Sequence, residues 1–339
     1  MVCFAEQTMK QITQYLQKTF HSLNSSITLP LNKISYFLTK SAKAHSYIET
    51  LGEHADSLHL WIKKSYEEDF KKAFESQVKK AIKHLHVSKV KLAFDVTHEP
   101  FYGKTRSLYI FDTPKDKKYD GEFRYITVCI ITRNKQIPLM ALPVRLGGIT
   151  KLAINLLEYC QTLFKKIRFA VFDRGFYIAE LIDYLEAKKI KYLILVPEKK
   201  GRIRNYIKQT KILGKFKHNM RYLKEKSAWK PKTTIVVCKG IDDFPWIFAT
   251  NINFYTRVEY IYHYKERWQI ETNYRVEDEA TIKSKSTNYL IRYFYFLVGL
   301  LFHLLWIVNK YLNYYVPFKK YLDIIEYKML FKYLEIEHI

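Results

Sequence analysis

Four cysteines in 339 residues, Cys3, Cys129, Cys160 and Cys238, stand far apart and form no Cys-x-x-Cys pair. That scarcity leaves neither a zinc motif nor a disulfide framework to read, and it suits a reducing, intracellular compartment. The opening residues, MVCFAEQTMK, lack the apolar core of a signal peptide, which argues against secretion. Internal repeats are missing. There is a single long hydrophobic run, Tyr289 to Val308, and it carries Arg292 and His303. Without a second span, and with aromatic rings supplying much of its bulk, it reads as a buried helix of a large core; no membrane association is expected. Acidic residues are also few: 33 Asp and Glu against 57 Lys and Arg leave a net charge of +24.

What is present is a globular chain, 48% hydrophobic, long enough for one large core or two to three domains. The basic residues run along its whole length rather than in a tail. Such a balance implies a polyanionic partner, nucleic acid before an anionic membrane surface, although a generally lysine-rich composition gives the same count. Charge establishes an attraction and no activity.

Residues 1–86 are expected to form a helical domain, with breaks at Ser25-Ser26, Pro30 and Gly52. Leu58, Trp61, Ile62 and Tyr66 keep helical spacing, as do Phe70, Ala73, Phe74 and Val78, with lysines between. A small bundle with basic outer faces is a plausible DNA-binding domain, but no recognition helix stands out. The texture changes at Val87. Strands are expected at Lys89 to Val96, Ser107 to Phe111 and Arg124 to Ile131, a helix at Ile149 to Phe164, a strand at Ile167 to Phe172, a helix at Ile178 to Lys188 and a strand at Tyr192 to Val196. That order describes an α/β fold: a mixed sheet with flanking helices over 87–198. Residues 199–255 form a basic insertion, with Lys and Arg interleaved with Tyr, Phe and Trp229 and strands at Thr233 to Val237 and Trp246 to Ala249. Its composition suits a groove following a phosphate backbone, or else a solvated lysine-rich excursion. Residues 256–339 supply C-terminal helices.

Tyr260 to Arg275 (YIYHYKERWQIETNYR) holds neither Gly nor Pro, and Ile261, Tyr264, Trp268, Glu271 and Arg275 fall on one helical face. A carboxylate on that apolar face costs several kcal/mol unless compensated. Arg267 one turn earlier is one compensator, and a metal ion is the other. Asp95 and Asp173 each end an expected strand, where a capping role is the commonest explanation and functional positions also concentrate. Together the three carboxylates offer hard oxygen ligands on separate rigid supports, sufficient for two divalent cations. His98 and Glu99 are expected in a loop nearby, and Glu277 to Glu279 on a solvated face.

The order strand-Asp, strand-Asp, helix-Glu resembles the ribonuclease H-like catalytic core of DDE transposases from prokaryotic insertion sequences. Tyr264-x2-Arg267-x3-Glu271 matches the motif of one large branch, as does Asp173-Arg174 after the second catalytic strand. Asp95-Val-Thr-His-Glu-Pro100-Phe101-Tyr102-Gly103 is similar to a run that follows the first Asp, with one extra residue. Where that branch carries a Lys seven residues after the Glu, this chain has Asp278, with Lys283 nearby. The resemblance implies that Asp95, Asp173 and Glu271 are catalytic and bind two Mg2+ ions (Mn2+ can substitute), and that Tyr264, Arg267, Arg174 and Lys283 contact DNA. It further implies a β-rich insertion before the last catalytic helix, double-stranded DNA as partner at transposon ends and target, a homodimer in the synaptic complex and a cytoplasmic, nucleoid-associated location. The activity implied is cleavage at element ends and joining of the 3′-hydroxyl to target DNA. A repurposed DNA-binding protein of the same fold and a related metal-dependent nuclease are the alternatives.

Overall fold

A computed structural model describes residues 2–23, 30–87, 89–113, 117–131, 136–198, 201–220, 231–268, 280–312 and 316–337. Among these, the chain begins with four helices, α1 (Val2–Thr19), α2 (Leu31–Ala44), α3 (Glu53–Lys64) and α4 (Glu67–Leu85). The strands that follow are β1 (Lys89–Phe101), β2 (Phe111–Asp112), β3 (Gly121–Ile131) and β4 (Gln136–Pro143). Helix α5 (Ile149–Leu163), β5 (Lys166–Phe172), α6 (Ala179–Ala187) and β6 (Tyr192–Leu195) alternate next. The basic stretch contains α7 (Arg202–Gln209), β7 (Leu213–Asn219), β8 (Lys232–Cys238) and β9 (Trp246–Thr250). The chain closes with α8 (Arg257–Lys265), α9 (Tyr289–Tyr311) and α10 (Phe318–Glu337).

The described strands join in one sheet, β2-β3-β1-β5-β6-β9-β8-β7, with β4 also paired to β3. β1 runs antiparallel to β3 and parallel to β5, β5 runs parallel to β6, and β9, β8 and β7 continue antiparallel from β6. The strands of the basic stretch therefore extend the central sheet instead of building a second one. β1 reaches Phe101 in ladder with Gly121, so His98 and Glu99 lie on a strand and not in the expected loop.

Three strands depart from the sequence reading, β2, β4 and the unexpected β7. The segment expected as a strand from Ser107 pairs only at Phe111–Asp112. β4 was not expected at all, because Pro138 and Pro143 argue against a central strand. It is accommodated on the outer side of β3, where the register slips between Val128 and Cys129 opposite Met140 and Pro138. A proline at such a bulge leaves no ladder hydrogen bond unmade.

Side-chain alternation sends the two sides of the sheet into different cores. Val90, Leu92 and Phe94 of β1 join one cluster with the first four helices, α5, α6, α9 and α10. Ala93 joins the other, with Val171, Leu193, Phe248, Tyr260 and Tyr264 beneath α8. The first helices share the larger core with the sheet: α1 packs on α4, α2 on α10, and α4 on α9. Helix α9 is long and apolar enough to cross a membrane, yet 89% of that window is buried inside the molecule, as a core helix should be. Its Arg292 is 6% exposed and bonds Glu99 of β1 at 2.5 Å, donates from Nε to the Ser286 carbonyl at 2.8 Å, and stacks over Phe123. Tyr125 donates to the other Glu99 oxygen at 2.9 Å, so both carboxylate oxygens are satisfied.

Removing one partner of a buried pair leaves the other charge stranded, at a cost of about 3–5 kcal/mol. Arg292→Met is therefore expected to lower the urea midpoint steeply, and Arg292→Met combined with Glu99→Gln to recover part of the loss. Equal losses in the single and double variants would show that the pair is not the source.

Candidate active site

The strands set the site. Phe94 and Phe172 are register partners on the parallel strands β1 and β5, so Asp95 and Asp173 follow at the same level. Both continue the face of Ala93 and Val171, the side that α8 covers. Asp173 accepts a hydrogen bond from the Arg174 backbone N–H at 2.5 Å and caps a one-turn 3-10 helix, Arg174–Phe176. The expected capping role of this residue is thus present: the cap fixes one carboxylate oxygen.

Helix α8 begins at a reciprocal cap. Thr256 Oγ1 accepts from the Glu259 N–H at 3.2 Å, and the Glu259 carboxylate accepts from the Thr256 N–H at 2.9 Å. This Thr-x-x-Glu signal starts the helix three residues before the expected Tyr260. After Lys265 the backbone tightens into a 3-10 turn over Glu266–Trp268, so the regular helix expected through this point is not followed. Glu271 and Asp278, with Arg275, lie outside the described residues.

At that turn two charge pairs tie the chain to β1. Lys91 Nζ reaches the Glu266 oxygens at 2.6 and 2.8 Å, and His263 Nδ1 is 2.8 Å from Oε2. Burial works against the Glu266 carboxylate, but the bonds from His263 and Lys91 outweigh it and hold the group below its ordinary value. Next door, the Arg267 guanidinium lies 3.5 Å from Asp95 and is 5% exposed. Burial alone would pull it down; Tyr264, Asp95 and Asp173 more than offset this and raise it. Tyr264 is buried against Trp246 and Phe248, and burial pushes its phenol up to about 12.

Asp173, Arg174, Tyr264 and Arg267 line one cleft of about 520 Å³, with Glu198, Phe244 and Trp246 on its other walls. Of the two arginines, Arg174 is exposed and Arg267 buried. The structure thus brings together Asp95, Asp173, Arg174, Tyr264 and Arg267. Lys283 is exposed and does not line the cleft; its backbone pairs instead with Ser46 and Ile48. Sequence reasoning missed Lys91, His263, Glu266 and Glu198. Lys91 carried a signal, a cation at an inward position of an otherwise apolar strand. Glu198, just beyond a buried strand, carried none.

Among the described residues no three His, Cys, Asp or Glu side chains gather as a metal cluster. The donor chemistry still fits a hard divalent ion. Two carboxylates stand on adjacent rigid strands, oxygen ligands only, with Asp173 lining the cleft and Asp95 left 15% exposed beside Arg267.

A family model, Transposase DDE domain, matches residues 113–304, more than half of the chain. The chain belongs to that family. The match spans Asp173 and the Tyr264–Glu271 motif and begins after Asp95. No curated protein matches. Among solved structures the chain is similar to "Cryo-EM structure of piggyBac transposase synaptic complex with hairpin DNA", with a TM-score of 0.58 and 11% identity over 95% of this chain and 77% of that one. At such identity the likeness concerns fold, and it bears out the ribonuclease H-like class expected for a DDE transposase.

Glu266 supplies a pH test. Its carboxyl is held below the ordinary value of 4.5, so the stabilisation is fully present above 4.5 and fades as pH falls through the lowered value. Wild type should exceed Glu266→Gln in urea midpoint at neutral pH, with the gap closing in acid. A gap independent of pH would overturn the assignment.

Proposed function

We propose that this chain is a DNA transposase that cuts at the ends of a mobile element and joins the freed 3′-hydroxyl to target DNA. The observation that carries this reading is the level placement of Asp95 and Asp173 on neighbouring parallel strands, Asp173 lining a cleft with Arg174 and Arg267, and Asp95 paired to Arg267. These two carboxylates and Glu271 would hold the metal, Mg2+ or Mn2+ in its place. Two bound ions would activate a water or 3′-hydroxyl and stabilise the leaving oxygen of an in-line displacement at phosphorus.

The protein groups divide the remaining work. Arg267, buried against Asp95, would keep that carboxylate oriented before DNA arrives, and Tyr264 would brace the guanidinium. Arg174, the exposed arginine of the cleft, would take the phosphate contact nearest the cleaved bond. Lys283, exposed outside the cleft, would meet DNA further from it. The helical residues 1–86 and the basic insertion 199–255 would hold the rest of the duplex, consistent with the +24 charge. A homodimer pairing two element ends is proposed by analogy with the synaptic complex named for the similar piggyBac structure, and the work would be done on chromosomal DNA in the cytoplasm.

The test is a labelled duplex bearing the terminal sequence of the element, with Mg2+ or EDTA. Wild type should nick and join it only with metal. Asp95→Asn, Asp173→Asn and Glu271→Gln should each lose more than the roughly 10–100-fold that removing an outer-shell partner costs, with binding in EDTA retained. Binding without cleavage under any divalent metal would establish a repurposed DNA-binding protein, and cleavage without joined product a nuclease.

A further inference from the structure

Helix α1 stands as a ridge between two furrows. The furrow toward α2 and α10 is about 640 Å³ and is lined by Lys10, Lys328 and Lys332 among others. The furrow toward α4 is about 450 Å³ and is lined by Lys18, His21 and Lys80. Gln14 and Gln17 of α1 line both furrows, so they lie along the crest between them. The buried side of the same helix, Phe4, Ile12, Tyr15 and Leu16, is locked in the core.

The lysines beside this crest are not neutralised. Lys18 donates to the Ser76 hydroxyl at 2.7 Å and Lys80 to the Gln14 side-chain oxygen at 2.6 Å, both uncharged partners. Among the described residues Lys10, Lys18, Lys80, Lys328 and Lys332 enter no ion pair, and Glu6 is the one acidic residue lining either furrow. Burial, then the charges of Lys18 and Lys10, holds the Lys80 ammonium below its ordinary value, as mutual repulsion requires. A folded surface that keeps like charges close without counter-charge is poised for a polyanion. The exposed Gln17 on the crest adds what a phosphate-binding surface does not need. A Gln amide can bond adenine bidentately in the major groove, and cations on either side can reach the two flanking backbones.

We infer that α1 is the duplex-reading element of this protein, entering the major groove of double-stranded DNA with the exposed Gln17 toward the base edges, Gln14 holding Lys80 in place, and the lysines of each furrow on one phosphate strand. The inference rests on the transposase reading above and deepens it, since it names which surface selects the element's ends.

The experiment is fluorescence anisotropy with the full-length protein in EDTA, using the terminal duplex and a scrambled duplex of equal length across a salt series. Lys18→Ala/Lys80→Ala and Lys328→Ala/Lys332→Ala should weaken both duplexes alike, about tenfold or more at moderate salt, and each reduce the salt slope by about 2. Gln17→Ala should instead weaken only the terminal duplex and lower the terminal-to-scrambled ratio. Lys18→Arg/Lys80→Arg should bind as wild type does, separating lost charge from lost fold. Variants that keep wild-type affinity, slope and ratio, while wild type cleaves with metal, would overturn the α1 assignment and leave the transposase reading standing. A wild-type chain that binds neither duplex would overturn both.

Discussion

The seam between β1 and the turn after α8 governs the rest of the site. Lys91, Ala93 and Asp95 alternate onto one face of β1, and Glu266 and Arg267 come down on the first and last of them. The two pairs have opposite polarity: the strand gives a cation then an anion, the turn an anion then a cation. A shift of the turn along β1 would bring Glu266 toward Asp95 or Arg267 toward Lys91, and either meeting of like charges is costly in a buried setting. The apolar contacts of Tyr260 and Tyr264 with Phe248 could tolerate such sliding; the charges cannot. Apolar packing therefore supplies adhesion, and the polarity of the pairs supplies register. The seam thus fixes where the chain stands at Arg267.

The sheet makes the opposite face equally rigid. Phe94 and Phe172, the residues just before the two aspartates, stack at 4.6 Å within the larger core, which extends through α9 to the first four helices. Asp95 and Asp173 are thus held from behind by a ring pair and from the front by Arg267 and the Arg174 N–H. Carboxylates supported this way lose little conformational freedom on receiving a ligand, which is what preorganisation means physically.

How much of this could be read in the chain depended on which force shaped each segment. α5, β5, α6 and β6 were legible because hydrophobic periodicity alone determines them. β8 and β9 were legible for the same reason. β7 was not: its Lys215 and Lys217 alternate outward at the sheet's edge, and inside a lysine-rich run that alternation looks like mere charge. β4 was obscured by its prolines, which an edge position and a bulge in β4 itself, at Leu139 beside Pro138, accommodate. Asp95, Asp173, Tyr264 and Arg267 were singled out through a motif as much as through physics, and the fold brings them close together. The Lys91–Glu266 bond was out of reach, because it joins residues 175 apart that no local pattern connects.

The same seam bears on the charge. A count of 57 basic against 33 acidic residues treats every group as equally available to a partner. They are not. Glu99, Glu122 and Glu266 are turned inward, each bonded to a cation or ring, with Glu122 held by His98 and Arg124 at 2.7 Å. Among the described residues Lys10 and Lys18 of α1 and Lys332 of α10 are exposed and enter no ion pair. Burying acids within structural pairs neutralises some cations with them but concentrates the unpaired remainder on the surface, and that remainder sets the field a polyanion meets. The acids left near the cleft are then few and strongly placed: Asp95, Asp173 and Glu198, carboxylates set into a positive exterior. Such an exterior attracts a polyanion, and the carboxylates of Asp173 and Glu198 stand within it at the cleft, with Asp95 beside them against Arg267.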